Sequence, residues 1–243
     1  MPVPRIHVDQ PLAPGKELAL NANGSRHVQV LRLQPGDALV LFDGRGGQWS
    51  GAITAISRRE VRVRTLHHEA LERELPTRVT LAVGMPANER MDALIEKATE
   101  LGVAAIQPLV CDRSVLRVAG ERALRKAAHW QAVAVAACEQ CGRNRLPAIG
   151  EPVGLPEWLR GPGVDAQSVR CLLSLGDAQP WPPARSGLAT VVLLSGPEGG
   201  FTTQEEAAAR EAGFVACSLG QRVLRADTAP LAALAWLALE CAR

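Results

Sequence analysis

The sequence predicts an α/β protein of two domains, a small β domain followed by a larger domain in which strands and helices alternate. In residues 1–72, short segments alternate apolar and polar side chains and are separated by turns that contain glycine. From residue 77 onwards, apolar runs typical of buried strands alternate with segments whose apolar residues recur at helical spacing. A chain of 243 residues is long enough for two such domains.

The first domain is predicted from three strands, at residues 39–42, 49–56 and 61–66. The turn Asp43-Gly44 follows the first strand, and Gly46-Gly47 comes shortly after it. Strands this short, joined by such turns, favour a small barrel-like β domain. Residues 67–76 are polar and charged and end in proline, so we interpret them as the linker. The predicted domains are therefore residues 1–72 and 77–243.

The second domain is predicted to be a parallel sheet covered by helices. The start of one helix is especially clear, because Thr202 and Glu205 fit a capping box and Gly213 follows the apolar pattern. Gly102 similarly ends an earlier helical pattern. The predicted strands are 79–85, 104–110, 169–175, 190–194 and 215–219, and the predicted helices are 91–101, 122–139, 202–212 and 228–241.

Composition indicates a packed core but only weakly constrains the partner. Hydrophobic residues make up 47% of the chain and charged residues 21%, so disorder is not expected. The net charge of +2 neither requires nor excludes an anionic partner. Residues 111–145 carry seven Arg and Lys residues against three acidic ones. This local surplus fits either contact with a phosphate backbone or a solvated helix face.

The six cysteines are scattered through mostly apolar segments. Cys138 and Cys141 form a single CxxC pair without a second pair or a nearby histidine, so buried helical cysteines are favoured over a metal or redox site. The sequence has no signal segment and no apolar run long enough to span a bilayer. We therefore expect reduced thiols, a cytoplasmic protein without membrane contact, and no bound metal.

Three predicted strands end in segments rich in glycine or polar residues: LSLGD at 173–177, LSGPEGG at 194–200 and SLGQRVLR at 218–225. The carboxyl ends of strands are where open α/β sheets bind ligands. The glycines of the second segment would let a flat ligand approach the main chain closely. A phosphate loop is disfavoured, because the Lys and Ser or Thr of a Walker motif are absent and Glu198 would repel phosphate. A neutral or cationic ligand fits better, and a purely structural turn remains the alternative.

Arg143, Arg145 and Arg225 each follow an apolar element near the predicted end of a strand or helix. Arginine can bind phosphate in a bidentate manner or stabilise an anionic base. Ordinary surface salt bridges would explain the same residues equally well.

Several motifs, taken in order, resemble one known family along nearly the whole chain. They begin with Pro4-Arg5-Ile6, His27-Val28 and Pro35-Gly36-Asp37, and continue with Glu96-Lys97-Ala98-Thr99-Glu100-Leu101-Gly102. The most specific are Ala137-Cys138-Glu139-Gln140-Cys141-Gly142-Arg143-Asn144-Arg145, Gly196-Pro197-Glu198-Gly199-Gly200-Phe201, Arg222-Val223-Leu224-Arg225 and Asp227-Thr228-Ala229. Together they resemble the 16S rRNA (uracil-N3) methyltransferases, the RsmE-type branch of the knotted SPOUT superfamily.

This resemblance implies both a fold and an activity. It implies that residues 1–72 form a PUA-like RNA-binding β-barrel and that residues 77–243 form a SPOUT methyltransferase domain with a C-terminal trefoil knot. The implied reaction moves a methyl group from S-adenosyl-L-methionine to N3 of a uridine in 16S rRNA of the small ribosomal subunit. The implied assembly is a homodimer whose active site draws on both subunits, with RNA and not DNA as its partner.

The resemblance also assigns roles to particular residues. For catalysis, Arg143 and Arg225 are our candidates to stabilise the uracil anion that forms when N3 loses its proton. No residue stands out as the general base; Glu198, which we include among the catalytic candidates, and Glu139 are the two carboxylates considered for it. The implied cofactor-binding residues are Leu173, Leu175, Leu194, Ser195, Gly196, Pro197, Glu198, Gly199, Leu219, Gly220, Val223 and Leu224. The implied RNA-binding residues are Arg5, Arg26, Arg32, Arg143, Arg145 and Arg225.

Two other functions remain open at this point. An RNA-binding or assembly protein without catalysis would keep the basic surface but lose the glycine-rich loops, which here look intact. A knotted enzyme could instead methylate a ribose 2′-hydroxyl or another base, and only the resemblance favours N3 of uridine.

Overall fold

A computed structural model describes residues 3–161, 167–181 and 190–241 of the chain. Its helices are α1 (Ala22–Val30), α2 (Asn88–Glu100), α3 (Glu121–Cys141), α4 (Leu155–Arg160), α5 (Thr203–Glu211) and α6 (Thr228–Cys241). Its strands are β1 (Arg5–His7), β2 (Glu17–Ala19), β3 (Ala38–Phe42), β4 (Gln48–Ile56), β5 (Val61–Glu69), β6 (Arg78–Gly84), β7 (Ala105–Val110), β8 (Ala148–Ile149), β9 (Val153–Gly154), β10 (Val169–Leu173), β11 (Gln179–Pro180), β12 (Thr190–Ser195) and β13 (Val215–Ser218).

The chain divides into two compact units. The N-terminal unit comprises Met1–Glu74 together with Val135–Leu146, and the C-terminal unit comprises Leu75–Ala134 together with Pro147–Arg243. The last turns of α3 therefore belong to the N-terminal unit, although they lie far along the chain from its strands. Such long-range membership depends on contacts between distant residues, which a local sequence pattern does not encode.

The N-terminal unit is built on a five-stranded sheet in the order β1-β3-β4-β5-β2, in which only the β1–β3 pair is parallel. Every second side chain of its strands points into the core. Leu39 and Leu41 of β3 and Val61 and Val63 of β5, for example, are buried in the same hydrophobic core. The three strands predicted in this region are confirmed.

The predicted linker at 67–76 is wrong for its first three residues. β5 continues to Glu69, which pairs with Gln48, so backbone pairing with β4 overrides the polar side chains. The short strands β1 and β2 and the helix α1 were not predicted. Asn21 does cap α1, since its side chain accepts a hydrogen bond from the Gly24 N–H at 2.8 Å. Gly24 and Ser25, which follow in the first turns of α1, are weak helix formers, so the local sequence did not predict a helix after this cap.

The C-terminal unit contains an eight-stranded sheet whose observed strand pairs are all parallel. Seven strands follow the order β11-β13-β10-β12-β6-β7-β8, and β9 also pairs with β7. The inner strands are apolar on both faces; in β12, for example, the residues from Val191 to Leu194 are all buried. The predicted parallel α/β sheet is therefore confirmed.

The element ends in this unit follow local chemistry. The capping box of α5 is confirmed, because Thr202 Oγ1 accepts from the Glu205 N–H and Glu205 Oε2 accepts from the Thr202 N–H. α2 ends before Gly102, which has a φ of 90°. β10 stops at Leu173 rather than at residue 175, because Ser174 Oγ accepts from the Gly176 N–H and turns the chain. The short elements β8, β9, β11 and α4 were not predicted.

A helix capable of crossing a bilayer is absent from the part of the chain that the structure describes.

Candidate functional site

A cavity of about 280 Å³ lies in the C-terminal unit, where β10, β12 and β13 end. Segments from all three strand ends line it, so the structure brings together the three loops that the sequence singled out. The parallel register explains this meeting, since β10 pairs with β12 on one side and with β13 on the other. The start of α6 contributes Ala229 to the same cavity.

Most of the residues predicted to bind a cofactor line this cavity. Those that do are Leu173, Leu175, Ser195, Gly196, Pro197, Glu198, Leu219, Val223 and Leu224. The remaining three, Leu194, Gly199 and Gly220, do not line it. Leu194 is fully buried in the core with Leu172 and Phe214, and Gly220 forms the turn after β13 with a φ of 108°.

Gly199 is small for a different reason from the one that the sequence indicated. A Cβ at this position would lie 2.9 Å from Arg113 Cβ rather than in the cavity. Arg113 in turn donates from Nη1 to the carbonyl oxygens of Gly199 at 3.0 Å and Phe201 at 3.3 Å. Gly199 therefore makes room for an arginine that holds the loop, whereas the adjacent Gly200, with a φ of 67°, does line the cavity.

Two further contacts fix the loop between β12 and α5. Gly84, at the end of β6, lies so close to Pro197 that a Cβ there would be 2.5 Å from the proline Cδ. Glu198 Oε1 accepts from the Ala87 N–H at 3.0 Å and lies 3.4 Å from Arg90 Nη1. The carboxylate thereby satisfies a backbone donor at the start of α2. The predicted catalytic residue Glu198 is thus occupied by contacts within the protein.

The cavity contains charges of both signs. Glu206 lines it, and one of its oxygens accepts from Ser174 Oγ at 3.2 Å. Arg222 and Arg225 also line it, and their side chains are exposed and form no hydrogen bond or ion pair with any residue described. Ser174, Glu206 and Arg222 were not predicted as site residues. Ser174 and Arg222 lie within the segments at 173–177 and 218–225 that the sequence singled out, whereas Glu206 lies on α5, outside all three segments.

The cysteines differ in their surroundings. Burial raises the pKa of the Cys111 and Cys138 thiols to about 12. A hydrogen bond between the thiols of Cys171 and Cys217 raises the pKa of Cys171 and lowers that of Cys217, which lines the cavity. Cys241 has its side chain outside the described residues. Within those residues, no three metal-binding side chains come together.

Arg143 and Arg5, predicted to contact RNA, are instead tied into the N-terminal unit. Arg143 is 3% exposed and pairs with Glu74 through both Nε and Nη2. Arg5 donates to Gln48 Oε1 and to Asn144 Oδ1, each at 2.7 Å. Arg5 is partly buried and joins β1 to the segment after α3, and the buried Arg143 joins that segment to Glu74.

The other predicted residues of this unit are placed differently. Arg145 is half exposed and lies 3.1 Å from Glu72. Arg26 and Arg32 are exposed. Glu139 Oε1 accepts from the His7 N–H at 2.9 Å, so the alternative general base is also occupied by a structural contact.

Two family models match the chain. The model of an RNA methyltransferase domain matches residues 73–238, and that of an RNA methyltransferase PUA domain matches residues 20–66. One model thus matches within the predicted β domain, residues 1–72, and the other matches most of the predicted α/β domain, residues 77–243.

Curated relatives and solved structures agree with these matches. The chain is 35% identical to the ribosomal RNA small subunit methyltransferase E of Synechocystis over 85% of its length and 67% of the relative. It is similar to the crystal structure of the corresponding Neisseria gonorrhoeae enzyme bound to S-adenosyl methionine, with a TM-score of 0.91, 37% identity and coverage of 97% and 96% of the two chains. A methyltransferase from Legionella pneumophila, solved with the same cofactor, has a TM-score of 0.92, 33% identity and coverage of 99% and 98%.

The match of the methyltransferase model over most of the chain, the identity to the Synechocystis relative and the similarity of the whole fold lead to one assignment. This chain belongs to the family of the ribosomal RNA small subunit methyltransferase E proteins.

Proposed function

We propose that this chain transfers the methyl group of S-adenosylmethionine to N3 of a uridine in the 16S rRNA of the small ribosomal subunit. The observation that carries the proposal is the cavity at the ends of β10, β12 and β13. It occurs in a chain whose family acts on small-subunit rRNA and whose structural neighbours from N. gonorrhoeae and L. pneumophila hold S-adenosylmethionine.

The residues of the cavity fit that cofactor. Leu173, Leu175 and Val223 offer apolar contact to a flat purine. The absence of a side chain at Gly200 leaves the main chain there open to hydrogen bonding, whereas Gly196 makes room for Phe201. The carboxylate of Glu206 favours a ligand with a cationic group. When bound, S-adenosylmethionine supplies a methyl group that is already activated by its sulfonium centre.

Arg225 is the residue that we assign to catalysis. The N3–H of uracil is a weak acid, so attack from N3 requires that negative charge on the ring be stabilised. The guanidinium of Arg225 lines the cavity, is exposed and is not engaged by another described side chain, so it can bind a uracil oxygen. The target base must be unpaired or flipped, because N3 lies on its Watson–Crick edge.

Glu198 and Arg143 receive positioning roles in this proposal. Glu198 anchors the glycine-rich loop to the start of α2 through the Ala87 N–H. Arg143 is neutralised by Glu74. We assign neither residue to proton transfer or direct contact with uracil.

The finer architecture is also proposed. The match of the PUA model to residues 20–66 supports a PUA-like barrel within residues 1–72, and the methyltransferase match supports a knotted SPOUT domain at 77–243. We further propose a cytoplasmic homodimer that acts on 16S rRNA within the small ribosomal subunit.

The activity is tested by mapping modified nucleosides of 16S rRNA from a strain that lacks the gene, with and without the restored gene. We expect N3-methyluridine at one position to disappear and return with the gene. A 2′-O-methylated nucleoside in its place would contradict the proposed target atom. Unchanged nucleosides, with no S-adenosylmethionine binding by the pure protein, would favour the assembly protein without catalysis.

The role of Arg225 is tested by Arg225→Ala. We expect its turnover to fall by about 100-fold or more while its affinity for S-adenosylmethionine stays within a few fold. Arg222→Ala is the matched control, since it removes another exposed arginine from the same cavity. Equal turnover by Arg225→Ala and the native chain, or an equal loss in both variants, would remove Arg225 from its specific role.

A further inference from the structure

Five exposed arginines of the N-terminal unit have guanidinium groups that form no hydrogen bond or ion pair with the residues described, and four of them lie on two segments: Arg26, Arg32, Arg58 and Arg59. The fifth, Arg45, lies in the turn between β3 and β4. Arg26 lies on α1 and Arg32 follows its end. Arg58 and Arg59 lie in the turn between β4 and β5. We call these four residues the arginine patch.

A hydrogen bond joins the two segments that carry the patch. Gln29 Nε2 donates to the Ser57 carbonyl oxygen at 3.4 Å. Gln29 lies three residues from both Arg26 and Arg32, and Ser57 directly precedes Arg58. Leu33 and Ile56 also pack against the same core, so both segments are anchored beneath the surface.

Two arginines of the adjoining strand β5 are paired with carboxylates, in contrast to those of the patch. On β5, Arg62 Nε lies 2.7 Å from Glu60 Oε1, and Arg64 Nη2 lies 3.2 Å from Glu17 Oε2. Two acidic residues close to the patch in the sequence have other partners: Glu60 pairs with Arg62, and Asp37 accepts from the Gln34 N–H at 2.7 Å. None of the four guanidinium groups of the patch pairs with a carboxylate among the described residues, so all four are available to an external anion.

We propose that the arginine patch is the surface through which the N-terminal unit contacts the phosphates of the substrate RNA. This inference rests on the proposed function. It adds Arg58 and Arg59, which no motif indicated, and it replaces Arg5 and Arg143 as RNA contacts. Each guanidinium can bind a phosphate in a bidentate manner and release its counterions.

Two further observations favour RNA over an acidic protein surface. The match to the RNA methyltransferase PUA domain spans residues 20–66, which include all four arginines but exclude Arg5, Arg143 and Arg145. Val30 and Leu31 are 72% and 45% exposed beside the patch. They offer apolar contact to the riboses and bases of unstacked nucleotides next to the phosphates.

The test compares two patch variants with a control of equal charge. Arg58→Gln/Arg59→Gln and Arg26→Gln/Arg32→Gln each remove two patch charges, and Arg62→Gln/Arg64→Gln removes two paired charges from β5. The affinity for an in vitro transcript of 16S rRNA is measured over a range of salt concentrations. S-adenosylmethionine affinity and thermal melting verify that each variant is folded.

Each patch variant is expected to bind the transcript on the order of tenfold to a hundredfold more weakly than the native chain at moderate salt. Its slope of log affinity against log salt should be shallower by about 1.4 to 1.8, since each phosphate contact contributes about 0.7 to 0.9. The control variant Arg62→Gln/Arg64→Gln should retain most of the native affinity and most of the native salt slope.

Native affinity and salt slope in both patch variants, or an equal loss in the control, would overturn the inference. Normal binding of the transcript but weak binding of assembled small subunits would also overturn it, in favour of a protein partner. A separate result would contradict the proposed function alone. If the native chain binds RNA through the patch but transfers no methyl group, the proposed activity is wrong and the inference about the patch still stands.

Discussion

Substitution of Gly84 by alanine is expected to weaken cofactor binding although the residue does not itself line the cavity. Gly84 ends β6 directly behind the loop that follows β12. The new Cβ would lie 2.5 Å from Pro197 Cδ, 2.6 Å from Pro197 N and 3.0 Å from the carbonyl carbon of Gly196. Both of these loop residues line the cavity, so a shift of the loop changes the shape of the site.

The magnitude follows from these distances. Ordinary carbon contacts lie at about 3.5 to 4.0 Å, so the loop must move by about 1 Å to accept the methyl group. The proline ring cannot rotate away as a flexible side chain could, and overpacking of this kind costs about 1 to 3 kcal/mol. If the free protein relaxes by shifting the loop, binding must reverse the shift. The affinity for S-adenosylmethionine then falls by about 5- to 150-fold.

Isothermal titration calorimetry of S-adenosylmethionine, with thermal melting of the free protein, measures the two consequences of Gly84→Ala. Gly154→Ala is the control in the same unit, because its Cβ would be in ordinary contact with Pro156 Cδ, at 3.9 Å. We expect the affinity of this variant for S-adenosylmethionine to stay within about twofold of native. Native affinity in Gly84→Ala would refute the reasoning, even if its melting temperature fell, because the loop position would then not control the cavity.

Two other predictions concern buried groups. Arg143→Ala should lower the free energy of unfolding, measured by urea denaturation, by about 3 kcal/mol, because it leaves Glu74 uncompensated. The double variant Arg143→Met/Glu74→Met should recover much of that loss. A double variant as unstable as the single one would contradict the ion-pair explanation. Burial raises the pKa of the Cys111 and Cys138 thiols to about 12, so both should stay protonated between about pH 7 and pH 9. In the native protein they should therefore resist iodoacetamide, whereas in urea they should react. Peptide mass spectrometry measures the labelling. Rapid native labelling of either would contradict their burial.

The strands and helices of the C-terminal unit could be predicted because their side chains carry strong local signals. The apolar run of β12 and the Thr202 to Glu205 capping box are examples, and both are confirmed. Elements with weak local signals, such as the two-residue strands β8 and β9, could not be predicted, because they depend on pairing with β7.

In the candidate site, too, some features could be predicted from the local sequence and others could not. Glycine-rich strand ends could be identified in the sequence, and the parallel sheet brings them together. The local pattern could not distinguish Gly199, which accommodates Arg113, from Gly200, which lines the cavity. It also could not distinguish Arg143, buried against Glu74, from Arg225, which is open to solvent. Two residues of the same type in similar motifs differ only in the partners that the fold supplies.

The sequence by itself determined the order of β and α/β regions and the loops that surround the cavity, because periodicity and turn residues are local properties of the chain. Tertiary structure alone decided which arginines are neutralised, which carboxylates are occupied and which segment of α3 joins the N-terminal unit. The physical reason is that charge compensation and burial depend on residues that are distant in the sequence and become neighbours only when the chain folds.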